Sequence, residues 1–316
     1  MKRALICGVG GQDGAYLAKL LLEKGYEVTG ASRDAMATSF ANLTHLGIRE
    51  RVRTASMAIN DFRSVLATIK NAAPDEIYNL AGQSSVGLSF DQPVETIESI
   101  AIGTLNLLEA IRFVERPIRF YSAGSSECFG DTGNEPATEQ TPFHPRSPYA
   151  VAKVSAHGLV ANYREAYGLF ASTGILFNHE SPLRPERFVT QKIVHAAARI
   201  AAGSNEKLHL GNLDIHRDWG WAPEYVEAMW LMLQQDRAED FVIATGKTVS
   251  LQYFAERAFS YYGLDWQQHV ESDTSLLRPS DIQYGRGNPA KAKQLLGWSS
   301  AVDIDGVVNK MCDATF

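Results

Sequence analysis

Cysteine is scarce in these 316 residues: Cys7, Cys128 and Cys312 are odd in number and show no metal-ligand spacing. That argues against a disulfide-stapled secreted scaffold and a cysteine-based metal site, and it points to reduced thiols in the cytoplasm. No apolar run approaches the ~18 residues that a membrane span needs. Only Met1-Lys2-Arg3 precedes the first strand-like run, so neither a transmembrane helix nor a signal peptide is expected. A basic surplus is missing as well. With 30 Lys and Arg against 36 Asp and Glu, and a formal charge of −6, no cationic face is available for nucleic-acid phosphates or a membrane surface. Low-complexity tracts and internal repeats are also lacking. What is left is a soluble chain long enough for one large domain with a smaller lobe.

Hydrophobic patterning supplies the architecture. "RALICGV" (3–9) is a short apolar run, "DGAYLAKLLLEK" places Leu17, Leu20 and Leu21 at helical spacing, and "YEVTGAS" (26–32) is again strand-like. The alternation continues through "DFRSVLATIKNA", "EIYNLAG", "ETIESIAIGTLNLLEAIRFV" and "IRFYSAGSS". Strands separated by helices of about ten residues or more predict a doubly wound parallel α/β sheet of the Rossmann type. Ser147 and Pro148 are favoured cap and first-turn residues for the helix "YAVAKVSAHGLVANYREAY", which Gly168 ends. Beyond residue 178 the alternation weakens. The expected division is 1–178 plus about 214–248 for a dinucleotide-binding domain, with about 179–213 plus 249–316 as a smaller, interleaved substrate lobe.

Two local patterns carry chemistry. Gly8, Gly11 and Gly14 form G-x-x-G-x-x-G between the first strand and the first helix, with Gln12 and Asp13 inside the motif. The glycines permit a tight turn, and the helix N-terminus offers free N–H groups and partial positive charge to a pyrophosphate. At the end of the second strand stands Ser32 rather than a carboxylate for a ribose 2′-OH; Arg33 beside it favours NADP, although Asp34 would repel a 2′-phosphate.

The second pattern is Tyr149 and Lys153, four apart on one helix face. Opposite charges about 5 Å apart at an effective dielectric near 20 interact by roughly 3 kcal/mol, which would move the phenol from ~10 towards ~8. That suits a general base. "YSAGSSECFG", one element earlier, sets Ser125, Ser126 and Glu127 at a strand end, where parallel sheets present ligands. A carboxylate at the edge of a cleft is costly to desolvate without a use, so Glu127 is a candidate catalytic acid or base.

With these motifs the chain resembles the extended short-chain dehydrogenases/reductases and, within them, the GDP-mannose 4,6-dehydratase family. The matching stretches include "GGQDGAYLAKLLLEKGYEV", "YNLAGQSSVGLSF", "TPFHPRSPYAVAK", "GILFNHESPLR", "LGNLDIHRDWG" and "YVEAMWLMLQQ", and matches span nearly the whole chain. The resemblance implies a redox cycle without net use of NADP: Tyr149 takes the sugar 4-OH proton as hydride leaves C4, Glu127 takes the C5 proton and assists loss of the C6 hydroxyl, and hydride returns to C6. Ser125 matches an active-site Thr that would hydrogen-bond O4, and Lys153 would hold the nicotinamide ribose.

The resemblance also places Leu80, Ala81, His179 and Arg184 near the cofactor. Ser84, Asn178, Glu180, Val189, Lys192, Gly211, Arg217, Arg278 and Asp281 would line the GDP-sugar site, with the two arginines clamping the diphosphate. Asp281 matches a family Glu. Three features depart from the pattern: "SRDAMATSFANL" lacks the successive arginines and longer basic loop that reach a neighbouring subunit, Ser56 stands where an Asp is common, and "GSSE" also occurs in related reductases. A homodimer is expected, with a homotetramer less well supported. The alternatives are an NADPH-dependent GDP-4-keto-6-deoxymannose reductase, a 4,6-dehydratase for another GDP-sugar, and a non-catalytic NADP-sensing protein.

Overall fold

A computed structural model describes residues 1–315. The strands are β1 (Arg3–Cys7), β2 (Glu27–Ser32), β3 (Arg53–Ser56), β4 (Glu76–Asn79), β5 (Arg119–Ala123), β6 (Ala171–Leu176), β7 (Asn178–Glu180), β8 (Leu208–Leu210), β9 (His216–Arg217), β10 (Trp219–Trp221), β11 (Phe241–Ile243), β12 (Val249–Ser250), β13 (Val270–Ser272) and β14 (Tyr284–Gly285). The α-helices are α1 (Gln12–Glu23), α2 (Ala41–His45), α3 (Phe62–Ala72), α4 (Val86–Asp91), α5 (Pro93–Ile97), α6 (Gly103–Val114), α7 (Pro148–Tyr167), α8 (Val189–Ala201), α9 (Ala222–Met232), α10 (Leu251–Tyr261) and α11 (Ile304–Asp313).

Seven strands form one parallel sheet in the order β11-β6-β5-β4-β1-β2-β3. The residues of β1 explain why its run is continuously apolar. Ala4 and Ile6 point into one core with α1 and α9, whereas Leu5 and Cys7 point into the other with α3 and α6. Both faces are covered, so both residue sets are buried. Between β1 and β4 the chain switches sides of the sheet, and a crevice opens there at the carboxyl ends of the strands.

The expected helix from Glu95 to Val114 is interrupted. Residues Glu98–Ile102 form a π-helical turn between α5 and α6, a feature that hydrophobic spacing alone does not reveal. The other helix signals hold. Ser147 Oγ accepts the Ala150 N–H at 3.1 Å, Pro148 occupies the first turn, and Gly168 ends α7 at φ +66°.

A second apolar core gathers Ile193, Val194, Leu208, Phe254, Phe259, Val307 and Met311 from α8, β8, α10 and α11. Near the C-terminus, Ala292, Leu296 and Trp298 return to the first core. The segment after Glu127 is laced to the same region. Thr132 N–H donates to the Tyr284 carbonyl, Ala137 N–H to Arg286, and Asn288 N–H to Ala137. Cys7, Cys128 and Cys312 are buried free thiols, and no described helix is long and apolar enough to cross a membrane.

Candidate active site

Two cavities meet over the crevice. One, of about 560 Å³, is lined by Gly8, Gly11, Gln12, Asp13, Gly14, Arg33, Leu80, Ala81, Ser84 and Arg184. The other, of about 440 Å³, holds Ser125, Glu127, Tyr149 and Lys153 at one end. Its walls continue through Asn178, His179, Glu180, Val189, Lys192, Gly211, Arg217, Arg278 and Asp281. Asp13, Leu80, Ser84 and Arg184 line both. Every residue that the sequence singles out for catalysis or binding therefore faces one of two adjoining spaces.

The first cavity fits a dinucleotide. Gly8 has φ +85°, and a Cβ there would stand 2.9 Å from the Leu80 carbonyl oxygen. A Cβ on Gly14 would lie 2.4 Å from the Gly8 carbonyl oxygen, so helix and turn pack closer than any side chain allows. Gly11, the residue that opens α1, supplies no side-chain cap. The first-turn N–H groups thus face the cavity without a protein acceptor from that residue, which is the donor set a pyrophosphate requires. At the far corner Arg33 pairs with Glu95 at 2.6 Å, and both groups line the cavity. The Asp34 carboxylate accepts the Met36 and Ala37 N–H groups, and Ser56 Oγ accepts the Ala35 N–H.

In the second cavity the residues at its head come from two elements. Ser125 follows β5 and caps a short 3₁₀ turn (Ser126–Phe129), its Oγ accepting the Glu127 N–H at 3.3 Å. Its own proton is thereby free for Tyr149. From α7, Lys153 Nζ donates to the Ala123 carbonyl at 2.7 Å and stands 5.7 Å from the centre of the Tyr149 ring.

The charge balance differs from the sequence expectation. Burial pushes the Tyr149 phenol well above its usual range, and the hydrogen bond with Ser125 offsets only part of this. Burial likewise brings the Lys153 ammonium down to about 8. Pairwise attraction between the two predicts an acidified phenol, but both groups are desolvated together, and desolvation wins because it disfavours the charged form of each. A phenolate here needs positive charge beyond what these side chains provide. An oxidised nicotinamide has the right sign.

At the other end Arg217 is buried, donating to the His216 carbonyl at 2.9 Å and to Asp281 Oδ1 at 3.5 Å. Arg278 approaches the same oxygen at 4.0 Å. Asp281 therefore sits between the two guanidinium groups, and its short side chain still reaches both. Lys192 Nζ donates to the His209 carbonyl at 2.8 Å. Glu180 accepts from the Thr190 hydroxyl at 2.7 Å and lies 3.3 Å from Arg184 Nε. Further residues that no sequence signal marks also face these spaces, among them Arg187, which lines both cavities, and His209, which lines the second. Arg187 stands three residues after Arg184 in "LRPERF", and that repeated arginine is the one clue the sequence offers.

A family model described as GDP-mannose 4,6 dehydratase matches residues 5–311. The chain belongs to the GDP-mannose 4,6-dehydratase family. GDP-mannose 4,6 dehydratase 1 of Arabidopsis thaliana is 47% identical over 99% of this chain and 89% of its own length. The human GDP-mannose 4,6 dehydratase is 43% identical over 98% of this chain and 90% of its own. Among solved structures, a dTDP-glucose 4,6-dehydratase from Streptomyces venezuelae with NAD bound superposes with a TM-score of 0.88 at 22% identity, covering 99% of this chain and 96% of that one. At that identity the likeness shows the fold alone.

The desolvated phenol gives a direct prediction. Difference absorbance between the ligand-free protein and its Tyr149→Phe variant should show no phenolate band as pH rises from about 7 to 10. A phenolate titrating near pH 8 would reverse the assignment of charge.

Proposed function

We propose that this protein is an NADP-dependent GDP-mannose 4,6-dehydratase, converting GDP-mannose to GDP-4-keto-6-deoxymannose and water. The observation that carries this reading is the single cavity in which Ser125, Glu127, Tyr149 and Lys153 stand at one end and Arg217, Arg278 and Asp281 at the other. A nicotinamide bound there would supply the acceptor for the C4 hydride and later its donor to C6. The protein's own groups do the rest. Tyr149 takes the proton of the sugar 4-OH while Ser125 donates a hydrogen bond to O4 as negative charge develops. Lys153, whose ammonium burial brings down to about 8, adds only part of the positive charge a phenolate needs, and an oxidised nicotinamide would supply the rest. Once C4 is a ketone the C5 hydrogen is acidic; Glu127 removes it and gives a proton to the departing C6 hydroxyl, which leaves as water. As hydride would return to C6 a proton returns to C5, the equivalent of the one Tyr149 took from the 4-OH. Substrate and product are at the same overall oxidation level, so the cofactor is regenerated.

For the nucleotide, Arg217 and Arg278 would hold the diphosphate, with Asp281 orienting both guanidinium groups. Asn178, Glu180, Val189, Lys192 and Gly211 would complete the substrate wall, and Ser84 would face the sugar. Leu80, Ala81, His179 and Arg184 would border the cofactor. Preference for NADP over NAD rests on Arg33, with Ser32 in place of an acid and Asp34 occupied by its own turn. The division of the chain into 1–178 plus about 214–248, and about 179–213 plus 249–316, is part of the same reading. A homodimer through α4–α7 is supported by Leu88, Val94 and Val151 on these adjoining helices and by Ile102 in the π-helical turn between α5 and α6, all of which expose apolar side chains. Buried free thiols suit a reducing cytoplasm.

Four experiments test the parts separately. Purified protein given GDP-mannose should form a 4-keto product with no net change in nicotinamide absorbance. Turnover of no GDP-sugar would sink the assignment, and stoichiometric NADPH oxidation with a 4-keto substrate would favour the reductase. Glu127→Gln should lower kcat by about 10²–10⁴-fold and let reduced nicotinamide accumulate, because it fails after oxidation. Arg33→Ala should weaken NADP binding about tenfold, the typical worth of one charge-assisted contact, and leave NAD binding unchanged in titration calorimetry. Sedimentation should give twice the chain mass, and a monomer would remove the dimer proposal.

A further inference from the structure

One buried ion pair has no part in the steps above. His179, in β7, places Nδ1 2.7 Å from the Phe177 carbonyl oxygen and Nε2 2.9 Å from Asp13 Oδ2. The Phe177 carbonyl can only accept, and so can the Asp13 carboxylate, which also accepts from the Gln12 amide and is held ionised below the usual carboxylate range. A neutral imidazole donates from one nitrogen alone, so it would turn a lone pair against an oxygen at a residue only 7% exposed. Both nitrogens therefore carry protons, and the ring is an imidazolium.

The surroundings agree. Burial opposes the charged ring, but the Asp13 carboxylate outweighs it and raises the His179 titration above the ordinary imidazole range. Burial would also raise Asp13, yet His179 and the Gln12 amide hold its carboxyl below the usual range. Arg184, five residues along the chain, is the nearby cation that opposes protonation of His179. From α9, Tyr225 stacks on the ring at 4.6 Å, in space opened because Gly220 has no Cβ. Lys153 on α7 and Tyr121 on β5 face Asp13 from the other elements. Gln12 completes the junction, its Nε2 donating to the His179 carbonyl at 3.2 Å and to Asp13 Oδ1 at 2.9 Å.

We propose that His179 is a positioning residue whose imidazolium cancels the Asp13 charge at the first turn of α1 and pins the nucleotide-sugar wall to the turn that receives the dinucleotide pyrophosphate. The inference rests on the dinucleotide reading of that turn. The positive end of α1 attracts an anion, whereas an unbalanced carboxylate within the same turn repels it. Protonation of His179 removes that repulsion. Dinucleotide affinity is thus full while the ring is charged and falls as pH rises through the raised His179 titration.

Two measurements on the full-length protein decide this. In ¹⁵N-histidine-labelled protein, long-range ¹H–¹⁵N correlations, assigned by their loss in His179→Asn, should show both ring nitrogens of His179 protonated at neutral pH; a neutral tautomer overturns the proposal. In NADP⁺ titrations, His179→Asn should bind about tenfold more weakly, the factor expected for one uncancelled charge about 6 Å away at an effective dielectric near 40. Adding Asp13→Asn should restore affinity and flatten its pH profile, an effect that a purely structural role for the ring would not produce. Unchanged affinity in the single variant, or no recovery in the double variant, overturns the proposal. Failure of the wild-type protein to bind any nicotinamide dinucleotide overturns the reading of the turn itself, whereas a neutral ring in a protein that binds NADP⁺ overturns the His179 role alone.

Discussion

The approach of the Gly8 backbone to the Leu80 carbonyl sets the spacing on which both cavities depend. β1 and β4 are neighbours in the sheet, yet their following connections run to opposite sides, so their carboxyl ends must part there. Only a residue without a Cβ, able to take φ +85°, brings the first turn against the end of β4. Gly14 repeats the requirement one helical turn later, seating α1 directly on the Gly8 carbonyl. From this contact follow the direction of α1, the exposure of its first N–H groups, and the position of Asp13 where the two cavities join.

Desolvation, more than pairwise attraction, then decides the protonation states. Burial drives both Tyr149 and Lys153 towards neutrality, Tyr149 within the apolar cluster of Ile100, Ala152 and Ala156. Asp13 and His179 are buried as well, but each meets an opposite charge with good hydrogen-bond geometry, so both remain ionised. The contrast is geometric. Lys153 spends its shortest hydrogen bond on a backbone carbonyl, whereas His179 spends one of its two on a carboxylate.

Much of this was legible from residue order because the informative signals are local. A glycine spacing, a Ser-Pro cap and a four-residue Tyr–Lys interval act within one or two turns of chain, and all three stand where the pattern puts them. The acidity of Tyr149 was not legible, since burial depends on segments far apart in sequence. The imidazolium state of His179 was hidden for the same reason: its two acceptors lie 2 and 166 residues away. The π turn at Glu98–Ile102 leaves the apolar spacing of its helix almost unaltered, so periodicity passed over it.

The ribbon that follows Glu127 pairs with Tyr284–Asn288 through Thr132 and Ala137, only a few residues beyond Arg278 and Asp281. Glu127 and the Arg278–Asp281 pair, separated by about half the chain, are thus sewn to one seam. Recombination that exchanged either half for a distant relative's would have to import matching stitches from the other. Exchange of one half alone would leave these backbone hydrogen bonds without their partners.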